Sequence, residues 1–320
     1  MRWVVFSGGV PVGSERAFRF GVVARAAASR AEWNAKAHAA EERGFSVLLA
    51  PDHFGAQIAP VPALLLAAEV TRTLRVGSLV FDNDFRHPAL LAKEAATLDL
   101  LTEGRFELGI GAGWDTAEYA RAGLAFVAPR TRLARLAEAV HIVKGLFGDE
   151  PLTFAGEFYS IADLSGYPRP VQRPRPPILI GGGRRGLLSL AAREADIVGI
   201  APRFSNGVGQ PESLTAEAAD EQMRWIREAA AARFDALELN ILIQRVIVTD
   251  DRARAAEELA GAWGMSPEQT FSSPHALLGT AGQIAETLRE RRERYGISYI
   301  SVFEQHAGDF AAVIPLLAGS

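Results

Sequence analysis

RVGSLVFDNDFRHPALLAKEAATLDLLTEGRFELGIGAG, Arg75 to Gly113, is the stretch whose reading decides the fold. It holds an apolar run from Val76 to Phe81, a helix of about four turns and a second apolar run from Phe106 to Ile110, which together read as a strand, helix and strand unit. Two strands joined by a crossover of that length lie parallel. Pro88 suits a helix start, where its missing N–H would be unpaired anyway, and Leu90, Leu91, Ala95, Leu98 and Leu101 then recur at helical spacing. Gly104 supplies a left-handed stop. Gly109, Gly111 and Gly113 keep side chains away from the end of the second strand, and backbone bared at such an end is where α/β proteins receive ligands.

Outward from this unit the same alternation recurs. Strands are expected at Phe18–Val23, Ser46–Ala50, Ile178–Ile180, Ile197–Ile200, Leu239–Val248 and Tyr299–Phe303. Helices are expected at Glu32–Arg43, Val61–Thr71, Thr131–Phe147, Leu187–Glu194, Thr215–Ala232, Ala253–Trp263 and Ile284–Tyr295, with a terminal helix around Phe310–Leu317. Eight strands with intervening helices is the count of an α/β (β/α)8 TIM barrel, whereas an open doubly wound sheet needs five or six. Two excursions interrupt the alternation. One, DTAEYARAGLAFVAPR, follows strand four. The other, Gly148 to Pro177, precedes strand five and contains a hairpin-like LTFAGEFYSI and the proline-rich YPRPVQRPRPP. Because the alternation resumes at Ile178, residues 18–320 read as one barrel domain. Residues 1–17 read as a polar lead-in, poorly ordered and too weakly apolar for a signal sequence.

The 320 residues are 48% hydrophobic and 22% charged, with a net charge of −4 and no cysteine. That balance argues against nucleic acid or an anionic membrane as partner. The lack of cysteine excludes disulfides, thiolate nucleophiles and Cys-ligated zinc, and it suits a cytoplasmic enzyme.

The run RHPALLAKEAATLDLLTEGRFELGIGAGW, Arg86 to Trp114, closely resembles the luciferase-like flavin and deazaflavin oxidoreductases, most nearly the branch that uses coenzyme F-420. Weaker likeness runs along nearly all of the chain from Phe18. The resemblance implies the barrel fold, a small organic substrate and a homodimer. As cofactor it implies coenzyme F-420, with FMN and an oxygen-using monooxygenase as the alternative and a non-catalytic flavin-binding barrel as a third reading.

In a barrel the residues just after each strand are the candidates for chemistry. After strand two stand Asp52 and His53, of which His53 can give or take a proton near neutrality and Asp52 can orient it; the alternative is a loop histidine capping a turn. In the resembled family a histidine at this place lies beside the reactive ring or the substrate. After strand five, ILIGGGRRG places Gly181, Gly182 and Gly183 ahead of Arg184 and Arg185 at a helix opening, a phosphate-binding arrangement that the family uses for its cofactor, or else a plain tight turn. The spacing of Gly181, Gly183 and Gly186 also fits a nicotinamide-binding turn, but strand six lacks the acid that would meet the ribose.

At the end of strand four, Gly111 and Trp114 are expected against the cofactor ring; Trp114 is equally readable as a pocket or core aromatic. The sugar-phosphate dehydrogenase branch has an acidic glutamate at about the place of Trp114, so the resemblance does not extend to that route. At Ser78 and Leu79 the family often has a non-proline cis peptide supporting the ring. Asn83, Asp84 and Arg86 can reach a ring edge or cap the next helix, and Glu304, Gln305 and His306 read as solvated. His38, His87, His141 and His275 show no metal spacing, and no nucleophile elbow or Walker loop is present. Substrate choice is expected in the two excursions and the Ala201–Leu214 loop.

Overall fold

The computed structural model describes residues 16–205 and 208–319, so most of the expected lead-in lies outside the described residues. Eight parallel strands form a closed ring: β1 (Arg19–Val23), β2 (Val47–Ala50), β3 (Arg75–Ser78), β4 (Phe106–Gly111), β5 (Ile178–Gly182), β6 (Ile197–Ile200), β7 (Glu238–Ile243) and β8 (Ile297–Phe303). Closure is made by β1 against β8, with Gly21 opposite Ser301, and each strand otherwise pairs with its neighbours in sequence. The (β/α)8 barrel expected from the sequence is therefore the fold.

The strands read as nearly unbroken apolar runs because both of their faces are covered. Val23, Val47, Leu49, Leu179, Ile197 and Tyr299 fill the lumen together with Leu79, Val80, Leu242 and Phe303. A much larger cluster lies between the strands and the outer helices α1 (Arg30–Glu42), α2 (Pro60–Glu69), α3 (Pro88–Leu101), α4 (Pro129–Phe147), α5 (Arg185–Glu194), α6 (Ala216–Ala230) and α7 (Ala281–Tyr295). Period-two alternation sends Val47 and Leu49 inward while Leu48 and Ala50 face the helices. The amino end of the barrel is closed by ions. Glu107, buried, receives Arg19 at 2.6 Å and Arg75 at 2.7 Å, and Arg19 also reaches Glu238 at 2.7 Å. The two guanidinium groups hold the Glu107 carboxyl below its ordinary range despite the opposing effect of burial.

Several boundaries differ from the sequence reading. The run Val76–Phe81 is not one strand: β3 stops at Ser78, and a short segment, Phe81–Asp82, pairs again with β4. The non-proline cis bond joins Leu79 to Val80, one residue beyond the place expected. The run Leu239–Val248 divides into β7 and a second strand, Arg245–Val248, which pairs outside the ring with Ala276–Gly279. The terminal helix is a series of short turns. In the first excursion a helix, Thr116–Ala122, takes the place of irregular chain. It is capped by Asp115 and stopped by Gly123 at φ 70°.

Candidate active site

His53 leaves the carboxyl end of β2 with its side chain one quarter exposed. Its Nδ1 lies 2.8 Å from Oε2 of Glu118, which the Thr116–Ala122 helix delivers from the first excursion. The other oxygen of Glu118 accepts the backbone N–H of Phe54. The Trp114 ring stands edge-on to the imidazole, centroids 5.5 Å apart, and meets Phe204 on its far side at 5.4 Å. Trp114 is 44% exposed and Phe54 62%, so the reading of Trp114 as a core aromatic does not hold, and the rim around His53 is aromatic and open.

Asp52 does not orient His53. The Asp52 carboxylate turns instead to Arg86 at 2.5 Å and to the backbone N–H of Asp82 at 3.1 Å. Asp52 thereby begins a buried polar layer beneath the rim. Asp82 caps the turn Asn83–Phe85 by accepting from Asp84 N at 2.9 Å, and both of its oxygens receive the Tyr119 hydroxyl, at 2.8 and 2.9 Å. Burial above all, with Asp84 and Asp52 close by, pushes the Asp82 carboxyl up to about 6. Asp84 is paired with Arg135 at 2.9 Å. Asn83 and Arg86, read from sequence as able to reach a cofactor ring, are thus bound into this layer: Asn83 donates to the Tyr159 hydroxyl and Arg86 is held by Asp52.

The glycines of β4 make room for protein first. A Cβ at Gly109 would lie 1.9 Å from the carbonyl oxygen of Ser78, and one at Gly111 2.7 Å from Val80, so both let the irregular end of β3 lie against β4. Ser78 is itself buried, its hydroxyl donating to Gly109 O and accepting from Gly109 N. Leu79 packs into the lumen core. Gly113, at φ 71°, leaves space for the Tyr119 hydroxyl.

Three strands on from His53, β5 ends at Gly182 and α5 opens with Arg184 as its cap, without any side-chain capping bond. A Cβ at Gly183 would stand 2.6 Å from Ala201 O, so only glycine lets the turn lie this close to the β6 loop. No side chain caps the first backbone N–H groups of α5, which carry the positive end of the helix field. Arg184 is exposed beside them, and Arg185 makes a surface pair with Glu228. His53 and the glycine turn lie at the same end of the barrel, across the ring from each other with β3 and β4 between. The terminal trio is not simply solvated: Glu304 holds Lys36 at 2.8 Å, and His306 is half-buried.

Residues 17–301 match the family described as luciferase-like monooxygenase. The chain belongs to that family. Among curated luciferase-like relatives, it is 31% identical to an FMNH(2)-dependent dimethylsulfone monooxygenase of Pseudomonas putida, over 72% of this chain and 63% of the relative. It is 32% identical to an F-420-dependent glucose-6-phosphate dehydrogenase of Nakamurella multipartita, over 72% of this chain and 68% of the relative. A second such dehydrogenase, of Kineococcus radiotolerans, is 36% identical and is matched over 48% of its length, so the chain spans between about half and two thirds of most of these relatives. Among solved structures, the coenzyme F-420-dependent tetrahydromethanopterin reductase of Methanopyrus kandleri superposes with a TM-score of 0.76 at 16% identity, covering 95% of this chain and 99% of that one. Within this luciferase-like barrel His53, Trp114 and the Gly181–Arg184 turn, read from the sequence as site candidates, lie at the carboxyl end of the strands, where Glu118 and Tyr119, which that reading did not name, join them. The only local signal for them was the pair of helix ends at Asp115 and Gly123. Among the described residues no group of three or more His, Cys, Asp or Glu is placed to hold a metal ion, and no helix is long and apolar enough to cross a membrane.

Proposed function

We propose that the protein is a cytoplasmic oxidoreductase that binds coenzyme F-420 across the carboxyl end of the barrel, with His53 giving or taking a proton on a small organic substrate. The observation that carries this reading is that one rim holds both a proton-transfer group on a buried carboxylate and a glycine turn opening onto a helix start. The turn fits the group: α5 opens without a side-chain cap, so no side chain claims its first backbone N–H groups, and the exposed Arg184 adds a cation for a phosphate. Ser78, Leu79 and Gly111 would support the ring from beneath and Trp114 would close it in from the rim. The bound deazaflavin supplies the hydride chemistry at its C5 carbon. The protein's own part is to hold the ring, shield it with aromatic side chains and move a proton at the His53 imidazole.

Replacing His53 with Ala tests this. Turnover is expected to fall by about 10²- to 10⁴-fold while cofactor affinity changes by no more than a few-fold. Unchanged turnover removes His53 from the mechanism. The similarity to an FMNH(2)-dependent monooxygenase supports a second reading, in which FMN takes the same turn. Titrating the protein with each cofactor and then recording oxygen consumption separates them, since rapid oxygen use with reduced FMN rejects the deazaflavin reading. We also infer a homodimer, from the exposed Leu100 and Leu101 at the end of α3 and the exposed Val171 of the second excursion, whose N–H donates to Asp99 of that helix. A monomer in sedimentation at micromolar concentration rejects it.

A further inference from the structure

We propose that Glu118, and not the adjacent Asp52, is the positioning residue for His53, fixing the imidazole with its proton on Nδ1 and a bare Nε2 for the substrate. This rests on the proton-transfer reading of His53 above only for its consequence, not for its geometry.

Both oxygens of Glu118 are committed. One accepts the Phe54 N–H and the other lies 2.8 Å from His53 Nδ1. The carboxyl side chain is 5% exposed. A carboxylate has no proton to give, so Nδ1 must be the donor, and in the neutral ring Nε2 is then the acceptor. The Trp114 ring against the imidazole limits its rotation. Asp52 cannot compete, since its carboxylate is taken by Arg86 and Asp82 N. Neutral His53 is thereby set as a base at Nε2. When a substrate hydroxyl approaches, its O–H bond breaks with the electron pair left on the oxygen, the proton forms an N–H bond at Nε2, and the positive charge so created on the ring sits beside the Glu118 carboxylate. A substrate that offers a hydroxyl proton is the class this arrangement fits.

Replacing Glu118 with Gln turns the geometry into a test. The amide has one acceptor, and the Phe54 N–H claims it, so the amide NH₂ must face His53 Nδ1. Nδ1 then has to accept, and the proton moves to Nε2 with no change of shape. Long-range proton–nitrogen NMR correlations on the full-length protein without cofactor read the tautomer directly, with the His53 signal assigned by its loss in His53→Ala. The expected result is Nδ1–H in the wild type and in Asp52→Asn, and Nε2–H in Glu118→Gln. Nε2–H in the wild type, or Nδ1–H retained in Glu118→Gln, overturns the proposal. If circular dichroism shows Glu118→Gln unfolded, the wild-type and Asp52→Asn spectra still decide it. Because this readout involves no turnover, it is separable from the proton role. Full activity in His53→Ala would end that role and leave the tautomer assignment standing. Where both hold, Glu118→Gln lowers kcat on the order of 10²-fold or more with little change in KM.

Discussion

Asp82 sits under the rim at a cost that can be removed by a single atom change. In the unfolded chain its carboxyl titrates near 3.8, and in the fold near 6, chiefly because it is buried. Between those values the folded protein holds a proton that the unfolded chain has released, so stability falls as pH rises from about 4 to about 6 and stays lowered above that. At about 1.4 kcal/mol per pH unit, the displacement of 2.2 (6 minus 3.8) corresponds to an upper limit of about 3 kcal/mol. Asp82→Asn should recover much of it. The amide oxygen keeps the 2.9 Å bond from Asp84 N, the amide NH₂ donates to the Tyr119 oxygen, and the Tyr119 hydroxyl turns to Asp84 Oδ2, 3.2 Å away. Urea unfolding followed by tryptophan fluorescence at pH 4 and pH 8 measures the effect. The variant should gain about 1 to 3 kcal/mol at pH 8 and about nothing at pH 4. An equal effect at both values, or a loss at pH 8, would refute the reasoning, because burial of a charge would then not be what Asp82 contributes.

Glu107→Ala strips the common partner from Arg19 and Arg75 at the amino end of the barrel, and urea unfolding at pH 7 should show a loss of about 3 to 5 kcal/mol; a loss under 1 kcal/mol would mean that water replaces the carboxylate there. The wild-type protein should also lose this contribution on acidification. The depressed Glu107 carboxyl stabilises the fold above its unfolded value of about 4.5, and that stability disappears as pH drops through the folded value, a trend that Glu107→Gln should flatten in acid unfolding curves. Gly109→Ala drives a Cβ into the Ser78 carbonyl, and thermal unfolding should report a destabilisation of about 2 kcal/mol or more. Gly183→Ala pushes on Ala201 O, so cofactor dissociation constants from fluorescence titration should rise about tenfold or more, with kcat at saturation spared; unchanged affinity would remove this turn from the binding reading.

How much of this was legible before the coordinates depends on the range of the interaction concerned. The barrel strands announce themselves because covering both faces forces apolar runs such as Val47–Ala50 and Ile178–Ile180, a local mark of a global arrangement. Helix ends were legible for the same reason: Pro88 and Gly104, the latter at φ 78°, act within a turn of their own positions. What the sequence could not carry is contact between distant segments. Asp52 is the neighbour of His53 along the chain, and that adjacency suggested the wrong carboxylate, since in the loop after β2 the Asp52 side chain turns to Arg86 while His53 meets Glu118. The partner that the fold selects is 65 positions away, on a seven-residue helix too short to show periodicity. Gly109 and Gly111 make the complementary point. Their spacing looked like preparation for a ligand, yet the nearest demand on Gly109 is the Ser78 backbone at the end of β3, and on Gly111 the Val80 side chain just beyond it. A glycine records that something approaches closely, and only the register of the neighbouring strand says whether that something is cofactor or protein.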